Sequence, residues 1–308
     1  MTKKTVRTVA VLLGGWSSER EVSLSSGAQI VKALEAAGYD VRAIDVGRDM
    51  AALLAALTPA PDVVVNALHG SFGEDGRIQG LLDCLGIPYT HSGVLASALA
   101  MDKPMAKRLF EAEGIPVAPH EMVTREQFAA GEYMDPPFVI KPSAEGSSVG
   151  VHIVLERGDI PPVSAWEFGA AAMIEQYVPG RELTVGVMGD RALGVTEIRP
   201  RNGFYDYAAK YTEGKADHLI PAPVHPEIYA AAMDYAVRAH KALGCRGVSR
   251  SDLRYDDTQG EPGRLILLEV NTQPGMTPLS LVPEQATAAG IGFGELVCWM
   301  VENAACDG

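Results

Sequence analysis

The sequence predicts an α/β unit with a doubly wound parallel sheet, followed by α+β units built on shorter strands. Three observations predict it. Apolar runs alternate with helical patterns through about residue 100, the rhythm of parallel strands joined by crossover helices. Beyond residue 103 short strands follow one another without such helices. A chain of 308 residues is also too long for one ordinary core and suits two or three domains. The expected divisions are 1–102, 103–181 and 182–308.

The elements come in order. "TVRTVAVLLGG" is a buried strand ended by two glycines, and "SLSSGAQIVKALEAAG" is a helix with Gly38 at its end. "YDVRAIDV" and "DVVVNALHG" read as further buried strands, with a helix at Asp49–Leu57 between them. Ligands sit at the carboxyl ends of such strands. Two loops leave from there, "GGWSSERE" and "HGSFGEDG". "DKPMAKRLFEAEGIP" is a helix with Pro104 in its first turn and Gly114 at its close. "PPFVIKP", "SVGVHIV" and "AAMIEQYV" are short strands of a small α+β unit. "ELTVGVMGDRALGVTEIRP" is a hairpin about Gly189 and Asp190. "HPEIYAAAMDYAVRAHKALG" is a long amphipathic helix, and "GVSRSDLRY" and "RLILLEVN" close the series as a strand pair.

Composition narrows the function classes. A hydrophobic content of 47% with 21% charged residues describes a folded globular chain. The net charge of −13 disfavours nucleic acid and anionic membranes as general partners. Any anionic ligand needs a local cluster of donors. Cys84, Cys245, Cys298 and Cys306 form no CxxC pair and read as free thiols in a reducing compartment. No apolar run approaches the 18 or so residues of a membrane span, and the expectation is a cytoplasmic protein.

The last strand pair carries the strongest chemical signal. Glu269 and Asn271 are two apart and share a face, as do Arg250, Asp252 and Arg254. Paired as a hairpin, the strands bring Asp252, Glu269 and Asn271 together. Three oxygen donors suit Mg²⁺ completed by phosphate oxygens. The alternative is a solvated hairpin face. "NTQPGMTPLSLVP" follows, offering backbone N–H groups near Gly275 and a helix start at Leu279–Ser280, either for an oxyanion or carboxylate or simply as a cap. Glu19, Arg20 and Glu21 stand near a helix start, where acidic residues also serve the helix dipole. His69 follows a strand in a glycine-rich loop and reads as structural or functional. No HExxH or Cys/His cluster points to zinc. Lys103, Lys141 and Lys210 matter only if they meet at one phosphate chain. "KPSAEGSSVG" places Lys141 before its glycines, unlike a Walker A loop, and "GGWSSERE" lacks the full dinucleotide fingerprint.

Together "AVLLGGWSSEREVSLSSG", "ALHGSFGEDGRIQGLLDCLGIPYTHSGVLASALAMDK", "VIKPSAEGSSVGV", "GFYDYAAKYTEG", "GVSRSDLR" and "LLEVNTQPGMTPLSLVP" resemble the D-alanine–D-alanine ligases of the ATP-grasp superfamily, in family order over nearly the whole chain. The resemblance implies an ATP-grasp fold preceded by the parallel-sheet domain, with ATP between the central and C-terminal domains. It implies that Lys103 and Lys141 hold the α- and β-phosphates, with Ser148 also at the ATP and Lys210 near the terminal phosphates. Glu175 and the backbone near Val178 would take the adenine, and Glu182 the ribose. Asp252, Glu269 and Asn271 would hold two Mg²⁺ (or Mn²⁺) ions. Glu19, supported by Ser147 and Tyr211 and near His69, would bind the first D-alanine. Arg250 and the Gly275 N–H would stabilise the oxyanion, and Ser280 and Leu281 would hold the second D-alanine. Residues 143–150 would form a lid. Tyr211 favours D-alanine over D-lactate as second substrate. The resemblance also implies a homodimer serving peptidoglycan precursor synthesis. Trp16 and Gln273 depart from the commoner family residues.

Overall fold

The computed structural model describes residues 7–143, 150–201 and 214–307. In the first sheet β1 (Thr8–Gly14) lies between β2 (Asp40–Val46) and β3 (Val63–Asn66), all parallel. Val63, Val64 and Val65 are fully buried. An unbroken apolar run of this kind belongs to a strand covered on both faces. Each such side chain contributes roughly 1.5–3 kcal/mol of burial.

The two faces are covered from different parts of the chain. Val64, Ala10 and Leu12 pack under α2 (Met50–Ala56) and α3 (Arg77–Leu85) through Leu53, Ile78 and Leu82. On the other face Val9, Val11, Val63 and Val65 meet Ile30 and Leu34 of α1 (Arg20–Ala36). They also meet Leu296, Val297, Met300 and Val301, at the far end of the sequence. One expectation needs correction. β2 is not a buried strand: Asp40, Ala43 and Asp45 are exposed, because β2 is an edge of the sheet and carries charges.

Helix ends follow local chemistry. Asp49 caps α2 by accepting from the N–H groups of Ala51 and Ala52. After α4 (Val94–Met101), Asp102 caps α5 (Lys103–Ala112), with Pro104 in the first turn. Glu19 stands at the cap of α1 but its side chain makes no capping hydrogen bond.

The second sheet is antiparallel in the order β4 (His120–Thr124), β7 (Ala171–Gln176), β5 (Phe138–Pro142), β6 (His152–Val154). With α6 (Arg125–Ala130) it closes a small core around Phe128, Phe138, Ile140 and Ile174. The third is an antiparallel sheet ordered β10 (Ala216–Leu219), β9 (Arg191–Pro200), β8 (Arg181–Met188), β11 (Val248–Asp256), β12 (Arg264–Asn271). α7 (Pro226–Ala242) lays Ala232, Ala236 and Ala239 on Leu183, Val185, Leu253 and Leu267, a helical stripe on a sheet face. α8 (Leu281–Ala288) and α9 (Phe293–Glu302) end the chain, and Ala305 then pairs with Tyr89 beside the first sheet.

Residues 177–180 join the second sheet to the third. Arg254 braces them, donating through Nε to Val178 O at 3.1 Å and through Nη2 to Gly180 O at 2.9 Å. Gly180 has φ +89, and a Cβ there would lie 2.2 Å from Tyr255 O, so no side chain fits.

Candidate functional site

The β11–β12 ladder sets Arg250 opposite Asn271 and Asp252 opposite Glu269. Alternation along each strand turns all four to one face. Arg250 grips Asp252 with two donors, Nε at 2.8 Å and Nη2 at 2.6 Å, and Thr184 Oγ1 donates to the same carboxylate at 2.7 Å. Lys103 Nζ, from the first turn of α5, lies 3.3 Å from Glu269 Oε2. Asn271 Oδ1 accepts from the Gln273 N–H at 2.7 Å. Side-chain exposure is 13% for Asp252 and 31% for Glu269, so the centre faces the cleft.

This donor set fits a hard divalent cation. It offers carboxylate and carboxamide oxygens, and the carboxylates already require cations to balance them. Among the described residues no three His, Cys, Asp or Glu side chains gather as a metal cluster. On this hairpin face the amide oxygen of Asn271 stands beside the two carboxylates, across the ladder from Arg250.

The loop after β12 folds back over the hairpin. Ser280 Oγ accepts from Thr277 N at 2.9 Å, and Ser280 stands at the cap of α8. The predicted helix start is thus one residue off. Glu182, Arg250, Asp252, Gly275, Ser280 and Leu281 line one cavity. They come from four separate stretches of chain.

A second charged cluster is buried more deeply. Glu175, on β7, is an ion-paired carboxylate with 4% side-chain exposure. Lys141, at the end of β5, binds its Oε1. Lys107 Nζ lies 2.7 Å from Oε2. Burial pushes the Glu175 carboxyl up, but Lys141 and Lys107 outweigh it and hold it at about 2. Val178 packs with Ala118 and Ile266 close by, and Glu182 Oε2 lies 3.9 Å from Arg254 Nη1.

Glu19 and His69 come from the two loops at the carboxyl ends of β1 and β3. Glu19 is buried, and a Cβ on Gly70 (φ +68) would lie 3.0 Å from its Oε2. Ser17 Oγ ties the loops by donating to His69 O at 2.8 Å. His69 Nδ1 is 3.0 Å from Glu74 Oε1, and Nε2 is 3.4 Å from Ser26 Oγ. Ser26 Oγ in turn accepts from Met276 N at 3.1 Å. The loops after β1 and β3 and the loop after β12 therefore share a hydrogen-bonded path.

Ser147, Ser148, Lys210 and Tyr211, with most of the 143–150 lid, lie outside the described residues. Lys107 and Gln285 escaped the sequence reading, and Gln273 entered it only as a departure from the commoner family residue. Lys107 is one helical turn after Lys103, the only signal it gave. Gln273 bonds Asn66 Nδ2 through Oε1 at 2.6 Å and donates to Leu68 O, joining the hairpin loop to β3. Gln285 is fully buried and bonds Gly186 N, Thr184 O and Thr196 Oγ1, fixing α8 on β8 and β9.

Comparison with known proteins agrees with this geometry. The family description "D-ala D-ala ligase C-terminus" matches residues 109–302, and "D-ala D-ala ligase N-terminus" matches 49–92. The D-alanine–D-alanine ligase of Granulibacter bethesdensis is 60% identical over 98% of this chain and 99% of its own length. That of Acidiphilium cryptum is 62% identical, again over 98% and 99%. Among solved structures, the Bacillus anthracis D-alanine–D-alanine ligase complexed with ATP superposes with a TM-score of 0.81 at 31% identity, covering 97% of this chain and 96% of that one. The VanG D-Ala:D-Ser ligase of Enterococcus faecalis gives 0.81 at 28% identity, over 96% and 99%. On full-length identity, on both family matches and on its fold, the chain belongs to the D-alanine–D-alanine ligase family.

Proposed function

We propose that the protein joins two D-alanine molecules into D-alanyl-D-alanine, driven by ATP, with ADP and phosphate as the other products. The dipeptide supplies peptidoglycan precursor synthesis. The observation that carries the residue assignment is the single cavity onto which Glu182, Arg250, Asp252, Gly275, Ser280 and Leu281 open.

ATP lies between the units 103–181 and 182–308, with the first D-alanine against the unit 1–102. Glu175 and the Val178 backbone take the adenine and Glu182 the ribose. Lys103 and Lys141 take the α- and β-phosphates, Lys210 approaches the terminal phosphates, and Ser148 also meets the ATP. Asp252, Glu269 and Asn271 hold Mg²⁺ or Mn²⁺, two ions in all, which when bound neutralises phosphate charge. Glu19 receives the ammonium of the first D-alanine, with His69 alongside and Ser147 and Tyr211 in support. Its carboxylate is thereby aimed at the γ-phosphate, and attack gives a D-alanyl phosphate and ADP.

The second step needs a neutral amine, a positioned carboxylate and an oxyanion donor. Ser280 and Leu281 hold the second D-alanine by its carboxylate. Its amine attacks the acyl carbon, the C–O bond to phosphate breaks, and phosphate leaves. Arg250 and the Gly275 N–H donate to the oxyanion that forms between these events. Lid residues 143–150 keep water from the acylphosphate. The working assembly is a cytoplasmic homodimer.

A coupled phosphate assay with D-alanine, L-alanine and D-lactate tests the reading. Phosphate release is expected only with ATP, a divalent cation and D-alanine. A folded protein that releases none under those conditions overturns it.

A further inference from the structure

Lys107 is a cation with no solvent exposure, sealed between two acceptors. Its Nζ donates to Ala118 O at 3.1 Å and pairs with Glu175 Oε2 at 2.7 Å. The segment that supplies Ala118 is itself pinned: Leu267 N donates to Pro116 O at 2.9 Å, and Val117 bridges to Leu267. Ala118 packs on Val178 and Ile266. Lys107 thus reaches Glu175 from the covered side, fastened to backbone that does not depend on ligand.

Lys141 differs. It reaches the other oxygen of Glu175 from the end of β5, two residues before Ser143, whose carbonyl accepts the Lys103 N–H at 3.1 Å. Lys141 therefore sits beside the phosphate-side lysine, while Lys107 sits behind the carboxylate. Were Lys141 the only partner, its departure to a phosphate would strand a buried carboxylate, which is costly.

We propose that Lys107 is a positioning residue for nucleotide recognition: it holds Glu175 charged and oriented through Oε2, so that Oε1 can exchange Lys141 for the exocyclic amine of adenine. The proposal rests on the reading of Glu175 and Lys141 as ATP ligands. A charged Glu175 accepts from the 6-amino group of adenine and repels the 6-oxo group of hypoxanthine. Base preference then depends on a lysine that touches no nucleotide.

The test measures Kd for ATP and for inosine triphosphate by calorimetry, together with KM and kcat for each. Lys107→Gln keeps donors to Ala118 and Glu175 but removes the charge. It is expected to weaken ATP about tenfold and to lower the ATP-over-ITP preference by a similar factor, with kcat changed less. Lys107→Arg is expected to recover part of the preference. Equal weakening of both nucleotides, with the preference intact, overturns the proposal. Should Lys107→Gln fail to fold, Glu175→Gln is compared with Lys107→Met/Glu175→Gln. The second change is expected to cost no further preference, and an additional loss overturns the proposal. Binding is read apart from turnover. A wild-type protein that prefers ATP but does not couple it to D-alanine fails the ligase reading alone.

Discussion

Two acidic centres, one turn of α5 apart, solve opposite problems. Lys103 serves Glu269 at the hairpin, and Lys107 serves Glu175 under the second sheet. The hairpin centre is partly exposed, and its carboxylates hold cations the cleft can replace. The Glu175 centre is nearly dry, and Lys107 in it has no solvent to turn to. Charge kept near solvent is available for chemistry, whereas charge sealed in the core is committed to structure and orientation.

The comparison breaks most readily at the hairpin. Glu269→Gln is expected to cut phosphate release by roughly 100-fold or more while the thermal melt stays near wild type. Wild-type turnover in that variant removes Glu269 from the metal-holding role. Arg250→Lys comes next, with a loss of about 100-fold in kcat, because one ammonium cannot replace a planar fork of donors. An unchanged kcat takes Arg250 out of the oxyanion step.

At the dry centre the effect moves from rate to stability. Glu175→Leu leaves Lys107 buried without its counter-charge and is expected to cost about 3–5 kcal/mol in a urea titration. Adding Lys107→Met to that variant is expected to return much of the loss, and failure to do so argues against the pairing.

Acid separates charged burial from neutral burial. Burial lowers His91 and His240 to about 4 from 6.5. Between pH 6.5 and 4 the unfolded chain binds protons that the folded chain refuses, so stability falls as pH falls, by about 3 kcal/mol per histidine. Glu175 is depressed to about 2 from 4.5, so its contribution is whole above pH 4.5 and is lost only as pH falls from 4.5 toward 2. Denaturant titrations across pH are expected to show the histidine loss first. The smallest effect expected is that of Gln273→Ser, which removes the bonds to Asn66 and Leu68. A rise of about tenfold in KM for D-alanine, read from the phosphate assay, is the order for one or two buried hydrogen bonds.

Much of the hairpin centre was legible because period-two alternation and one polar turn fix which residues face each other. Asp252 and Glu269 are 17 positions apart yet directly opposed. Lys141 and Glu175 were legible only as separate residues. They are 34 positions apart, and nothing in the sequence between shows that they pair. Lys107 was hidden for the same reason, since a lysine on an amphipathic helix ordinarily faces water. β2 misled because Val41, Ala43, Ile44 and Val46 look like a core strand, while the sheet stops beside it. Gln285 gave no local sign, because its three partners belong to strands about 90–100 positions earlier.

The cover over one face of the first sheet has a consequence for how the chain is made. Val9, Val11, Val63 and Val65 emerge early in synthesis, and Leu296, Val297, Met300 and Val301 emerge long after them. Until then α1 alone covers that face through Ile30 and Leu34, and the part left apolar is the kind of surface that aggregates or recruits chaperones. A nascent chain released as far as β12 therefore has its last hairpin complete and its first sheet still unfinished.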